Sequence, residues 1–147
     1  MAAMLLAGCQ LTSPIQTAQP YEPADGVSVD LGTVVIRDLL VVASAKGTAG
    51  VLSGLIVNKG DAPVTVSIGA ADGTPVTAQV GPRSATRLSG GTGTPAAPLA
   101  NVASDPGGMV ELNVNTPAGG TDQVTVPVLP PTGYYSTLTA APTAPAG

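Results

Sequence analysis

The sequence predicts an all-β protein, an antiparallel β-sandwich of about seven strands, and three observations support this prediction. Short runs rich in Val, Leu, Ile and Thr recur along the chain, and several of them alternate apolar with polar residues. Turn-forming residues separate the runs, with 19 Gly and 15 Pro among 147 residues. No segment shows the 3.6-residue apolar period of an amphipathic helix.

The N-terminus carries the strongest functional signal. Leu6-Ala7-Gly8-Cys9 is similar to the lipobox of bacterial lipoproteins, in which small residues precede a Cys that is lipidated and becomes the first mature residue. A signal peptide also needs a basic start, whereas no Lys or Arg precedes Arg37. We therefore expect residues 1–8 to be the remnant of a signal peptide that starts further upstream. The prediction is lipidation at Cys9, and the alternative is an ordinary thiol.

Residues 9–26 contain three Pro, several Gln and Thr, and no apolar period, which predicts a flexible tether. No run reaches the 18 or more apolar residues that span a bilayer. The lipid on Cys9 would then be the sole anchor, at the outer face of the cytoplasmic membrane in the cell envelope. Because Cys9 is the single Cys, no internal disulfide supports the fold.

The sandwich itself is predicted to span residues 27–129. Residues 33–43 and 51–57 are nearly all β-branched or Leu, so they are expected to be central strands that pair and are covered on both faces. Five further runs alternate or are short and polar, as half-buried strands do; they cover residues 64–68, 76–80, 84–88, 110–114 and 124–128.

Irregular segments interrupt and follow these strands. Residues 89–108 form a connection longer than ordinary loops, which predicts a functional or mobile segment. Pro127 lacks a backbone N–H, so the last strand is expected to be an edge strand or to end at a bulge. Residues 130–147 are a Pro/Ala/Thr-rich tail. The number and spacing of strands indicate a sandwich of immunoglobulin-like or cupredoxin-like type.

Composition excludes most chemistry. The chain has no His, which rules out Ser-His-Asp and Cys-His arrangements and zinc sites that contain His. The acidic residues are spread over turns, so no carboxylate pair is evident, and we predict that the protein is not an enzyme and has no cofactor. Five scattered basic residues against nine acidic ones form no basic patch, which excludes nucleic acid as a partner.

A few side chains remain as candidates for binding. Removal of a signal peptide would leave Met109 as the single Met of the mature protein. Because one thioether cannot hold copper tightly, we predict no metal site. We expect the Met109 side chain to lie in the core. Arg83 and Arg87 would lie close together at the predicted strand 84–88 and are candidate contacts with an anion or a partner; the alternative is that both lie on a solvated face. Tyr134 and Tyr135 are expected to dock on the domain or on a partner.

Three stretches also carry a family pattern. They are the Asn58-Lys59-Gly60-Asp61 turn, the run from Gly81-Pro82 to Leu88 ahead of Gly90-Gly91, and the closing hairpin from Pro106-Gly107-Gly108 to Val126-Pro127-Val128. Between residues 34 and 128 this pattern resembles the periplasmic copper chaperones of the PCuAC type and related actinobacterial lipoproteins. The resemblance implies a cupredoxin-like sandwich in the cell envelope.

The copper ligands that the resemblance implies are absent. In the family, His and Met ligands lie in a hairpin that reads Gly69-Ala70-Ala71-Asp72-Gly73 in this chain, and after the Gly-Gly pair, where this chain has Thr92-Gly93-Thr94-Pro95. Some actinobacterial relatives are accessory lipoproteins of the respiratory cytochrome supercomplex. We therefore expect a non-catalytic interaction module that contacts an envelope or respiratory-complex protein. The alternative is a copper or small-ligand carrier with non-standard ligands, drawn from Met109 and carboxylates.

Overall fold

The computed structural model describes residues 25–89 and 97–139, and the regular structure of these segments is almost entirely β. The strands are β1 (Val27–Leu31), β2 (Val34–Ala43), β3 (Gly50–Asn58), β4 (Val64–Gly69), β5 (Val76–Val80), β6 (Ser84–Arg87), β7 (Pro98–Leu99), β8 (Met109–Thr116) and β9 (Gly120–Leu129). A 3₁₀ helix, Gly133–Tyr135, follows β9. The all-β prediction is confirmed, and β1 and β7 add to the strands predicted from the sequence.

The strands form one curved sheet. Its order is β5-β4-β8-β9-β2-β3-β6, with β1 paired to β2 and β7 paired to β3. The strands at the two ends of this order, β5 and β6, come into contact, so the sheet curls into a barrel-like sandwich. Within the described segments, no helix has the length and apolar character needed to cross a bilayer.

One pairing departs from the antiparallel prediction. β9 runs parallel to β2 where Val41 and Val42 meet Val128 and Leu129. β9 therefore lies between β8 and β2, and the prediction that Pro127 marks an edge strand is wrong. The N–H and C=O of Val128 both bond to the β8 side, so the preceding Pro127 directs its nitrogen away from β8. The missing N–H of Pro127 costs no hydrogen bond to β2, because the pairing of β9 with β2 begins at the next residue, Val128.

Within segments 25–89 and 97–139, the buried apolar residues are all Val, Leu, Ile or Ala, in a chain that has no Phe or Trp. The largest fully buried residues among them are Ile36, Leu39, Leu40, Leu52, Ile56, Ile68 and Leu112. The predicted alternation in the outer strands is observed: Val66 and Ile68 are buried while Thr65 is exposed. The predicted pairing of the two apolar central strands is confirmed as β2 with β3.

Part of the long connection is packed into the domain. Ala97, Leu99 and Val102 are buried in the main core, and β7 pairs with the start of β3. The backbone of Val102 also exchanges hydrogen bonds with Gly47 and Thr48. Residues 97–108 are therefore held against the sandwich and are not a mobile segment, while a functional role for the connection stays a prediction. Residues 90–96 lie outside the described part.

Candidate functional site

A bulge in β2 shapes the outer face of the sheet. Arg37 pairs with Leu55 and Leu40 pairs with Ser53, so two residues of β2 stand opposite Gly54 alone. Asp38 occupies the bulge with φ of 54°, a left-handed conformation that Asp tolerates better than most residues. Its Oδ1 accepts a hydrogen bond of 2.7 Å from the Gly26 N–H, which fixes the chain just before β1.

Residues 130–139 form a C-terminal strap across this outer face. Leu138 is buried against Leu40 and Val42 of β2, and Tyr135 packs on the same cluster. This contact explains how β2 is covered on both faces: the core covers one side and the strap covers part of the other. A portion of the predicted tail is therefore structural.

Tyr135 ties the strap to the start of the described chain. Its hydroxyl donates a hydrogen bond of 2.7 Å to Oδ2 of Asp25. Burial raises the pKa of the Tyr135 hydroxyl well above its ordinary value near 10, and the hydrogen bond to Asp25 and the charges of Asp25 and Asp38 raise it further. The neutral phenol is thus the form that fits the folded protein.

Tyr134 is presented outward beside this fixed residue. Its side chain is 83% exposed, and its ring meets the Tyr135 ring edge-on with 5.2 Å between centroids. Because Tyr135 is held by packing and by Asp25, Tyr134 rests on a rigid support. Tyr also offers a large contact area at a low cost in conformational entropy, because its side chain has two χ angles.

A hollow of about 210 Å³ opens between the sheet and the strap. It is a mixed site with one cation, one carboxylate, several hydroxyls and a little apolar surface. Its lining residues are Asp38, Ser53, Gly54, Leu55, Arg87, Ser89, Tyr134, Thr137 and Leu138. The structure therefore brings together two of the side chains singled out from the sequence, Arg87 and Tyr134.

Arg83 and Arg87 have different surroundings. Arg83 precedes β6 with a positive φ of 46°, and its Nε lies 2.6 Å from Oδ1 of Asp61 in an exposed ion pair. Arg87 ends β6, opposite Leu55, and lines the hollow. With the other residues of segments 25–89 and 97–139, the guanidinium group of Arg87 forms no ion pair or hydrogen bond.

Met109 is on the outer surface, so its expected place in the core is wrong. Its side chain is 52% exposed, while Val110, Leu112 and Val114 are buried. Side chains of a strand alternate between faces, and Met109 shares its face with Glu111 and Asn113. The alternation around it was the signal that should have placed Met109 outside.

The donor set does not fit a copper site. The described segments contain no group of three or more His, Cys, Asp or Glu side chains that could hold a metal ion. Copper favours imidazole and sulfur ligands, whereas the chain has no His, and Met109 lies on an exposed face. Cys9 and the segment after Gly90-Gly91 lie outside the described residues.

Comparisons with known proteins bear on the fold. No protein-family model and no curated protein matches the sequence. Among solved structures, the copper-bound PCuAC domain from PmoF2 superposes with a TM-score of 0.60 at 19% identity, over 71% of this chain and 99% of that domain. The chain has the fold of PCuAC domains.

Two further PCuAC structures agree. The apo PCuAC domain of PmoF2 gives a TM-score of 0.56 at 17% identity, over 73% of this chain and 98% of the domain. The apo PCuAC domain from PmoF1 gives a TM-score of 0.55 at 17% identity, over 71% of this chain and 100% of that domain. The PCuAC fold that the sequence motifs implied is therefore confirmed as a fold, while nearly three tenths of the chain lies beyond the match.

The Asn58-Lys59-Gly60-Asp61 turn, one of the three stretches that resemble PCuAC proteins, is held together by the Asn58 side chain. Asn58 is buried, and its Nδ2 donates hydrogen bonds to the carbonyls of Ala62 and Gly81 at 2.8 and 2.9 Å. Its Oδ1 accepts from the Gly60 N–H at 2.9 Å. Asn58 thus joins the β3–β4 turn to the end of β5. The Asn58 side chain therefore has a structural role in this turn.

The sequence did not single out Asp38, Ser53, Thr137 or Leu138 as site residues. Asp38 had a readable signal, because Arg37-Asp38 interrupts an otherwise apolar strand. The others are ordinary residues that only the path of the strap brings to the hollow.

Proposed function

We propose that this protein is a lipid-anchored, extracytoplasmic and non-catalytic module that binds another envelope protein. The observation that carries the proposal is a PCuAC fold in a chain that has no His and whose described residues contain no metal-ligand cluster. Such a scaffold retains a rigid sandwich and loses the chemistry of metal transfer, so recognition of a protein is the function that its surface supports. Subunits of the respiratory chain are the first candidates among its partners.

The anchor is Cys9. Asp25, where the described domain begins, lies sixteen positions after Cys9 in the sequence. An extended chain of that length reaches about 50 Å, and a flexible one has a root-mean-square span of roughly 22 Å. A domain confined to this distance from the membrane meets membrane proteins at a high effective concentration, so a weak contact would be well occupied.

Intact mass and co-purification test this proposal together. The protein is expressed from its own gene in its native cells and extracted from their membrane in mild detergent. We expect a mass increase from lipid on Cys9 and a stoichiometric envelope protein in the same complex. Cys9→Ser is the control, and its mass should lack the lipid. An unmodified, soluble wild-type protein would contradict the anchor, and a lipidated protein without partners would contradict the module.

A copper carrier is the competing function. It is favoured by the likeness to a copper-bound PCuAC domain and by the exposure of Met109, whose thioether is accessible to solvent. This function predicts that the purified protein holds Cu(I) stoichiometrically and that Met109→Leu releases it. We expect instead less than a tenth of an equivalent of copper after dialysis, with no difference between wild type and Met109→Leu.

A further inference from the structure

The surface around the hollow has the chemistry of a carboxylate-binding site. Arg87 supplies the cation, and the hydroxyls of Ser53 and Thr137 supply hydrogen-bond donors at the same hollow. Asp38 is the one acidic residue in the lining, and its Oδ1 already accepts the Gly26 N–H. A negative group would therefore enter on the Arg87 side.

The size of the hollow favours a side chain over a whole small molecule. Its volume of about 210 Å³ lies below the roughly 300–1,000 Å³ of pockets that enclose small-molecule ligands. Tyr134 continues the surface outward, since its ring borders the hollow and is 83% exposed. Arg and Tyr are also the residue types enriched where protein interfaces concentrate their binding energy.

We propose that the hollow and Tyr134 form the partner-binding surface of this protein, and that it takes an acidic segment of a protein. An Asp or Glu side chain of the partner enters the hollow and pairs with Arg87, while an apolar neighbour of that residue packs on the Tyr134 ring. The inference rests on the proposed function and names the site and the chemistry of the partner. It also explains the strap, which holds Tyr134 and Thr137 beside the sheet.

Site-specific photo-crosslinking tests the site. The full-length protein carries p-benzoylphenylalanine in place of Tyr134 and is irradiated in its native membrane. Thr121, exposed near the β8–β9 turn and away from the hollow, carries the same group in a control protein. We expect a crosslink from position 134 to a partner segment that contains Asp or Glu within a few residues, and none to that segment from position 121.

Charge variants test the chemistry in the same experiment. Arg87→Gln should lower the yield from position 134 about tenfold, because it removes a charge-assisted pair. Arg83→Gln is the matched control, because it deletes the same charge at the other end of β6, where Arg83 forms an exposed ion pair with Asp61. This variant should change the crosslinking yield less than twofold. Thermal unfolding of both variants should match that of wild type, because both side chains are exposed.

The outcomes separate the two proposals. Co-purification of a partner without a crosslink from position 134, or with equal effects of Arg87→Gln and Arg83→Gln, overturns the surface and leaves the proposed function standing. A crosslink only to lipid or to a second copy of this chain also overturns the surface. Absence of any partner from the wild-type preparation overturns both.

Discussion

Asp38 combines an unusual backbone conformation with a hydrogen bond that fixes the chain before β1. Its φ is 54°, and its Oδ1 lies 2.7 Å from the Gly26 nitrogen. Asp and Asn tolerate this conformation because their short polar side chains bond locally, whereas most other residues are strained in it. The bulge at Asp38 gives the hollow part of its wall.

We expect Asp38→Ala to lower the free energy of unfolding by about 2 kcal/mol, from the lost hydrogen bond and the left-handed backbone. Asp38→Asn keeps an acceptor oxygen, and Asn also tolerates the left-handed backbone conformation. Its free energy of unfolding should therefore stay within about 1 kcal/mol of the wild-type value. Urea denaturation of the full-length proteins measures both values. Equal losses for the two variants would show that the charge of Asp38, and not its hydrogen bond, is what matters.

Tyr135 makes the strap sensitive to high pH. The raised pKa of its hydroxyl means that the folded state keeps the proton when the unfolded state has lost it. This contribution to stability is fully present below the unfolded pKa of about 10 and is lost as the pH rises toward the folded pKa. The sensitive range is therefore alkaline, above pH 10.

Tyr135→Phe isolates this effect. Subtracting the 295 nm titration curve of the variant from that of wild type should leave one phenol that ionises well above pH 10. The stability advantage of wild type over Tyr135→Phe should be constant near neutral pH and should shrink above about pH 10. A difference curve centred near 10, the ordinary pKa of a free Tyr, would contradict the raised pKa of the Tyr135 hydroxyl and its hydrogen bond to Asp25.

At the scale of elements, Asn58 links the β3–β4 turn to the end of β5. Its side chain is 2% exposed and is satisfied by the carbonyls of Ala62 and Gly81 and by the Gly60 N–H. A buried polar group that loses its partner costs more than the hydrogen bond itself contributes. With a longer contact of 3.4 Å to the Val80 carbonyl, the turn thus depends on one amide that faces three carbonyls and one N–H.

Asn58→Ala should lower the free energy of unfolding by about 2–4 kcal/mol, because it leaves these backbone groups without a partner. Lys59→Ala is the neighbouring control: Lys59 is exposed, and its backbone bond to Thr33 does not depend on the side chain, so no measurable change is expected. Thermal and urea unfolding compare the pair. Similar losses in both variants would contradict the role of the amide.

At the scale of the whole molecule, the strap brings the end of the described chain back to its start. Leu138 packs on Leu40 and Val42, and Tyr135 bonds to Asp25. Without the strap, β2 would expose the apolar side chains of its outer face. The strap also holds Tyr134 beside the hollow, so stability and the proposed binding surface share one element.

Leu138→Ala should lower the free energy of unfolding by about 2 kcal/mol, near the low end for a buried Leu because the site is at the surface of the sheet. The variant should also bind more of a hydrophobic dye such as ANS, as Leu40 and Val42 become accessible. Thr139→Ala is the control, since Thr139 is exposed. No difference between the two variants would mean that the strap does not cover β2 in solution.

The sequence alone predicted the strands and the absence of His chemistry. Alternation in β4, β5, β8 and β9 indicates which face is buried, because apolar side chains must all point to one side of a sheet. The same rule, applied to Met109, would have placed it outside with Glu111. The family motifs indicated the PCuAC fold through Asn58, whose role is to satisfy a turn.

Only the tertiary structure decided how distant segments meet. The parallel pairing of β9 with β2, the burial of Leu99 and Val102, and the docking of Leu138 on β2 are contacts between residues far apart in the chain. A local pattern records how a residue packs within its own strand, and it carries no information about which remote segment covers the other side. For this reason the sequence could name Arg87 and Tyr134 as candidates, whereas their placement at one hollow required the path of the whole chain.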